Sequence, residues 1–395
     1  MHRLSPSLLL AVGCAAMGTS IAAADDGSGG SGTGGTGGGA AVVETAPAEV
    51  DADPVGFAPA ASPAPGEAPS FTQTIPPLRF KQFNLTLEND AITMGNFLRT
   101  DDDHYTNGIG LAFGFDGTLA ASAAQAIPFY DSLARSSTRP VQSALGITVG
   151  QMVFTPDDDF KDVTEEIPGE WPYQGYLFVG IYSQRATETT LDHLQIDFGV
   201  TGDGSKAEAV QKGFHDLFGI SNFQGWSNIR DTEFAFQFTL RKKWRWRLFE
   251  DSERNSALEV IPHAGFTVGT VFRNIEGGVF LRYGWNLPDD FGPGRVLDVQ
   301  SATGGPGDGD SGIYFFGRVG GRVVEHNGML EGRTFEVDEE TFVGDLGFGI
   351  VGYFNPTETS QLELGWGLTL QTDTFKGQKD SDGWGAYFLR YTWKF

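Results

Sequence analysis

Gly383-Trp384-Gly385-Ala386-Tyr387-Phe388-Leu389-Arg390-Tyr391-Thr392-Trp393-Lys394-Phe395 alternates almost residue by residue. Gly385, Tyr387, Leu389, Tyr391, Trp393 and Phe395 share one parity, while Trp384, Ala386, Arg390, Thr392 and Lys394 share the other. Successive side chains of a strand point to opposite faces, so one face is apolar and the other mostly polar. A long strand of this kind with an aromatic flank and a terminal Phe is what closes an outer-membrane β-barrel.

Working back from the C-terminus, similar runs recur between turn signals. Twelve are legible, at about 81–91, 105–117, 142–156, 173–187, 191–201, 231–246, 256–270, 276–285, 311–324, 341–354, 358–373 and 383–395. Most exceed the roughly ten residues that a tilted membrane strand needs. The fold expected is all-β: a closed antiparallel outer-membrane barrel of about 12 strands, with one short helix in an external loop. Closure leaves no unpaired strand edge in lipid. An even count puts both termini in the periplasm, which makes 92–104, 157–172, 202–230 and 325–340 external. Two connections assigned to the periplasm, 118–141 and 286–310, are too long for simple turns, and the alternation does not explain them.

The N-terminal residues set the compartment. Arg3, an apolar Leu8–Ala16 and Ala22-Ala23-Ala24 before Asp25 read as a signal peptide over 1–24. Cys14 raises lipoprotein processing as the other reading, although Ala11 stands where Leu is preferred. Residues 25–79 are rich in Gly, Ser, Ala and Pro and bury too little apolar surface to offset their ordering entropy. They are expected to form a disordered tether before a barrel domain at 80–395. Deleting 25–75 should therefore leave a heat-modifiable barrel on semi-native gels; loss of that band would give the tether a structural role. A net charge of −24 argues against nucleic acid as a partner.

Polar residues gather where external loops meet strand ends. The first strand ends Leu87-Glu88-Asn89-Asp90, and the second begins Asp101-Asp102-Asp103-His104-Tyr105-Thr106-Asn107-Gly108. Hard oxygen donors of this kind suit Ca²⁺, although Asp101–Asp103 also read as plain turn residues. After the fifth strand, Ser205-x-x-Glu208 forms a capping-box pattern and Gly219 sits at a C-cap position. Between them Gln211 and His215 share a helix face at i, i+4, and Val210, Phe214, Leu217 and Phe218 give an apolar surface for the barrel or lipid.

Together these segments resemble the outer-membrane lipid A 3-O-deacylase (LpxR-type) family. The resemblance rests on Leu87–Asp90, Tyr105–Gly108, Gly150-Gln151 with Thr155-Pro156, and Gln211 and His215 before Gly225-Trp226. It continues through Gly321-Arg322, His326-Asn327, Leu330–Gly332 with Thr334-Phe335, and Phe375–Gln378, covering about residues 81–395. The resemblance implies a Ca²⁺-dependent esterase that removes the 3′-linked acyloxyacyl chain of lipid A, as a monomer in the Gram-negative outer membrane. It implies His215 as the base that activates water, with Gln211 beside it. Asn89 and Thr106 join the catalytic group, Asp90 and Asn89 hold the metal, and Lys161 faces the sugar-phosphate head of lipopolysaccharide. His104 and His326, also near the outer rim, serve as controls for His215.

The chain departs from the family at Glu170-Trp171-Pro172-Tyr173, where an Arg is usual, and over Ser227–Asp231. Parity adds a difficulty. Asn89 shares the lipid-facing parity of Phe83, Leu85 and Leu87, whereas Thr106 is opposite to Ile109, Leu111 and Phe113. A bulge or strand end must intervene if both are to reach one face. Two other classes compete. A small porin or structural barrel explains the alternation but not the rim clusters. A phospholipase barrel would call for a Ser–His pair, and none stands out.

Overall fold

The computed structural model describes residues 78–90, 104–129, 134–135, 137–219, 221–298, 302–303 and 309–393. The signal peptide, most of the tether and Asp101–Asp103 lie outside them. Thirteen strand segments form one antiparallel sheet: β1 (Arg79–Asn89), β2 (Tyr105–Asp116), β3 (Gln142–Phe154), β4 (Gln174–Ala186), β5 (Thr190–Thr201), β6 (Glu233–Trp244), β7 (Trp246–Asp251), β8 (Ser256–Gly269), β9 (Phe272–Trp285), β10 (Ser311–Asn327), β11 (Phe342–Thr357), β12 (Ser360–Gln371) and β13 (Gly383–Trp393). Each pairs with its sequence neighbour except β6 and β7, which both pair with β8, and β1 pairs with β13. The sheet is thus closed.

β6 and β7 are one barrel strand interrupted at Arg245, so the count of crossings is twelve. Arg245 leaves the wall and turns inward, where its guanidinium donates to the carbonyl oxygens of Glu188 and Asp290 and to Asp289. The sixth crossing therefore runs on to Asp251, past the expected end near 246. β9 starts at Phe272 instead of 276, leaving a tight external connection at Thr270-Val271.

The alternation read from sequence is the alternation seen. On β1, Gln82, Asn84, Thr86 and Glu88 are buried toward the lumen, and Phe83, Leu85 and Leu87 between them are partly exposed on the outside. Exposed Ile147, Val179, Ile181, Phe198 and Phe315 extend that apolar outer surface around the wall.

The two long periplasmic connections have structural roles. In the first, helix α1 (Thr118–Ala126) buries Ala120 and Ala124 against the barrel. Arg185 of β4 donates to the carbonyl oxygen of Ile127 at 2.6 Å. The second connection enters the lumen. Its Asp290 takes ion pairs from Arg282 of β9 and Arg390 of β13, and Arg390 also reaches Glu363 of β12 at 2.6 Å. Farther along, the Val296 amide donates to Glu88 near the top of β1 at 3.1 Å, and the Ala302 amide donates to Gln184 at 2.8 Å. The described residues of this connection climb the lumen from Asp290 to the level of Glu88. It also obstructs the interior, which is at odds with a passive pore.

Candidate active site on the outer wall

The wall near the outer rim carries the first group. Asn89 Nδ2 donates to the carbonyl oxygen of Thr106 at 2.7 Å, and the Asp90 amide donates to the same oxygen at 3.4 Å. The parity conflict resolves as physical chemistry requires. The β2–β3 register shifts between Tyr105 and Asn107, so that Tyr105 opposes Phe154 and Asn107 opposes Val153. Thr106 is the extra residue of this bulge. Tyr105 stays in the lumen and donates to Glu88 at 2.6 Å, while Thr106 Oγ1 shares a 2.7 Å hydrogen bond with Thr155 Oγ1. Asn89, Asp90, Thr106 and Thr155 are all buried. An outward-facing residue at the rim can be buried only beneath an external segment.

Helix α2 (Ala207–Phe218) lies on the same outer wall, against β3 and β4. Gln151 of β3 donates to the carbonyl oxygen of Ser205 at 2.6 Å, which pins the helix start to the wall. Gly175 of β4 lies below Ser205 and Ala207: a Cβ there would stand 2.2 Å from Ser205 Oγ and 2.6 Å from Ala207 Cβ. Val153, Tyr173, Ala207, Phe223, Trp226 and Ile229 form one apolar cluster between helix and barrel. Val153 packs with the helix, and Thr155, which bonds Thr106, lies two residues farther along the same face, roughly 7 Å away.

The capping box does not form. Ser205 Oγ donates to the carbonyl oxygen of Gly202 within a preceding 3₁₀ turn (Gly202–Ser205), and Lys206, with φ of 59°, is the residue at the N-cap. With Ser205 in that turn and Lys206 at the N-cap, the helix start has no side-chain cap hydrogen bond. Gly219 does take the C-cap in the left-handed conformation, φ 71°, and its amide donates to the carbonyl oxygen of His215.

The helix is set on the barrel with its polar stripe inward. Among its described side chains Ala207, Gln211 and His215 are the buried ones, Gln211 at 1% and His215 at 3% exposure, whereas Leu217 is 77% exposed and Val210 and Phe214 are half-buried. The sequence leaves open whether the apolar surface meets barrel or lipid; of its residues, Leu217 points away from the wall, and Val210 and Phe214 lie at the edge of the contact. His215 Nδ1 lies 2.7 Å from the Ser221 carbonyl oxygen, which can only accept. Nδ1 thus carries the hydrogen, and Nε2 is the basic nitrogen of the neutral ring. Trp226 Nε1 donates to Gln211 Oε1 at 2.7 Å, which fixes the amide. Gln211 Nε2 is buried and has no hydrogen-bond partner among the described residues.

The other candidates fall as follows. Lys161 lies in the loop after β3, and its carbonyl oxygen accepts from the Gln224 amide at 2.8 Å, joining it to the segment that follows α2. Its half-exposed side chain reaches Asp158 at 3.0 Å. His104 is held between two carboxylates, with Nδ1 2.7 Å from Asp382 and Nε2 2.8 Å from Glu170. Although burial opposes the charge, these carboxylates raise its pKa to about 10. It ties three external connections together as an imidazolium and is not a neutral control for His215. Glu170, the residue at the family departure, is thereby a partner of this clamp. His326, 3.2 Å from the Thr270 carbonyl oxygen, keeps its place as a control.

Among the described residues no group of three or more His, Cys, Asp or Glu side chains could hold a metal ion. The donors present are Asn89 Oδ1, the Asp90 carboxylate and the hydroxyls of Thr106 and Thr155. All are hard oxygens and only one is charged, which fits a partly hydrated Ca²⁺ better than Zn²⁺.

A family model described as outer membrane protein LpxR matches residues 56–395. The chain belongs to the LpxR family of outer-membrane proteins, a lipid A-modifying family, and is a multi-stranded barrel of the Gram-negative outer membrane. Among solved structures it is similar to LpxR from Salmonella typhimurium, with a TM-score of 0.63 and 17% identity over 80% of this chain and all of that one. At that identity the likeness concerns the fold. The β domain of the Bordetella autotransporter BrkA, at TM-score 0.40 and 10% identity, spans 80% of this chain and 99% of its own; the translocator domain of NalP from Neisseria meningitidis, at 0.41 and 8%, spans 80% and 88%. No curated protein matches the chain.

Several of these roles could not be assigned from sequence. Ser221 orients His215 and Trp226 orients Gln211, yet neither belongs to a periodic pattern. Thr155 stands out only once the bulge brings Thr106 to its face.

Proposed function

We propose that this LpxR-family barrel is a hydrolase that removes the 3′-linked acyloxyacyl chain of lipid A from the outer leaflet. The observation that carries the reading is the set of the helix: Gln211 and His215 are buried against the outer wall while Leu217 is exposed on the far side. A lipid can then present its ester to the rim without leaving the membrane.

In this reading His215 Nε2 accepts a proton from water as that water attacks the ester carbonyl carbon. The hydrogen bond from Nδ1 to Ser221 holds the ring in the required tautomer. The unpartnered Nε2–H groups of Gln211 donate to the oxyanion as it develops. As the carbon–oxygen ester bond breaks, the imidazolium returns the proton to the leaving sugar oxygen, giving a free hydroxyl and an acyloxyacyl acid. Lys161 offers a cation to the phosphorylated head. A Ca²⁺ ion held by Asn89 and Asp90, beside Thr106 and Thr155, would supply Lewis-acid stabilisation of negative charge at the carbonyl oxygen. The expected result is loss of deacylation on exhaustive chelation, recovery with Ca²⁺, and a weakened Ca²⁺ requirement curve in Asp90→Asn. Undiminished turnover after chelation would remove the metal, and rescue by Zn²⁺ alone would point to His215 as a ligand.

A further inference from the structure

Thr106 reaches the outer face only through the bulge in β2, and that bulge has an alternative. Asn107 opposes Val153. Continued without a bulge, the ladder would pair Thr106 with Phe154 and Tyr105 with Thr155. A one-residue slip of this kind sends each side chain to the opposite face. Thr106 would then point into the lumen and Tyr105 into the outer site. The ladder itself does not favour the observed arrangement, because a bulge leaves one residue out of the pairing.

The groups that select it lie in the lumen. Tyr105 Oη donates to Glu88 Oε2 at 2.6 Å, and Glu88 Oε1 accepts from the Val296 amide at 3.1 Å. Glu88 and Tyr105 are both buried. The Tyr105 ring meets Trp384 edge-on at 4.9 Å and lies 5.4 Å from Phe154. Arg295, next to Val296, sets its guanidinium over Trp384 at 4.7 Å and stands 3.7 Å from Glu88. Gly108 makes the space for the ring: a Cβ there would overlap Tyr105 Oη and stand 3.0 Å from Cζ. Gly108 is also the partner of Glu88 across the β1–β2 ladder, so acceptor and gap are neighbours. If Tyr105 left the lumen, a buried carboxylate would lose a hydrogen-bond donor, which is costly.

We propose that Glu88, Tyr105 and Gly108, braced by Arg295 and Val296 of the lumen segment, are positioning residues that keep Thr106 turned toward Asn89 and Thr155 on the outer wall. The segment inside the lumen thereby acts on the outer site across the barrel wall. The lock works through Thr106 and stands on the opposite face from the lipid. Its effect on turnover rests on the deacylase reading; its effect on the position of Thr106 does not.

Disulfide trapping tests it in a chain whose single cysteine is removed by Cys14→Ser. Thr106→Cys/Thr155→Cys reports the observed bulge, because the two hydroxyl oxygens stand 2.7 Å apart. Asn107→Cys/Val153→Cys is the reference pair, since these positions oppose each other with or without the bulge. In barrels folded in detergent micelles, oxidative bridging of 106 to 155 should be about tenfold slower in Glu88→Ala and in Gly108→Ala, where the buried tyrosine loses its acceptor or its space. Bridging of 107 to 153 should be unchanged. Equal rates at 106 and 155 would overturn the proposal. So would slowing of both pairs together, which would mean that the rim had come apart. If neither variant gives a heat-modifiable barrel, Tyr105→Phe, which keeps the ring and drops the hydroxyl, decides on the same two rates. With the native threonines in place, Tyr105→Phe should lower kcat for deacylation about tenfold and change KM by less than about twofold. Slower trapping with unchanged kcat would overturn the role of the lock in the site. A wild-type barrel that leaves lipid A intact would remove the deacylase reading, and trapping alone would then decide the lock.

Discussion

Replacing His215 by alanine should leave a folded, heat-modifiable barrel that no longer deacylates lipid A, with turnover lowered by about 10²–10⁴. The size follows from the role. His215 is the basic group on the buried face of α2, and its Nδ1–H is committed to Ser221, so Nε2 is the atom that can take a proton from water. Folding should survive because α2 lies outside the strand ladder and is pinned at its start by Gln151 and Ser205, away from position 215. His326→Ala should change turnover little. Trp226→Phe provides a graded companion: it frees the Gln211 oxygen and should lower turnover by letting the amide rotate. Wild-type turnover in His215→Ala would remove the imidazole from the mechanism, whatever the outcome at the metal.

His104→Ala should have the largest effect on stability, about 3–5 kcal/mol, because it strips a buried cation from two carboxylates at once. His104 lies against Trp171 and Phe375 and joins Glu170 of one external connection to Asp382 of another. The pH dependence has a definite sign. The pKa of His104 is raised in the folded barrel, from 6.5 to about 10. Its contribution is therefore fully present below pH 6.5 and is lost as pH rises through 10. Unfolding by urea in micelles, followed by tryptophan fluorescence, should show a wide gap between wild type and His104→Ala at pH 6 that narrows above pH 10. A gap of constant width would show that the imidazole acts by shape and packing instead of charge.

The fold was legible because a barrel strand in lipid must obey a period of two, and β1 from Gln82 to Glu88 and β5 from His193 to Phe198 do so. The interruptions were where reading failed. Arg245 continues the parity of β6 but leaves the wall to bond lumen carbonyls, and no local pattern distinguishes it from an ordinary strand arginine. The 286–298 segment looks like an overlong turn because two of its partners, Glu88 and Arg390, belong to the distant strands β1 and β13. Helix α2 was legible in place but not in orientation. A hydrophobic stripe normally faces a protein core, but an external helix on a lipid-facing wall has two apolar neighbours to choose from, and here Gln211 and His215 are the side chains turned inward. The Thr106 bulge was required by parity, and the β2–β3 register supplies it.

Mass spectrometry of lipid A incubated with the purified barrel in Ca²⁺-containing detergent tests the central claim most directly. The account predicts loss of one acyloxyacyl unit from the 3′ position and appearance of the matching free acid, with neither change in His215→Ala. Lipid A recovered with its full acyl complement, or cleaved equally by the wild type and His215→Ala, would contradict it.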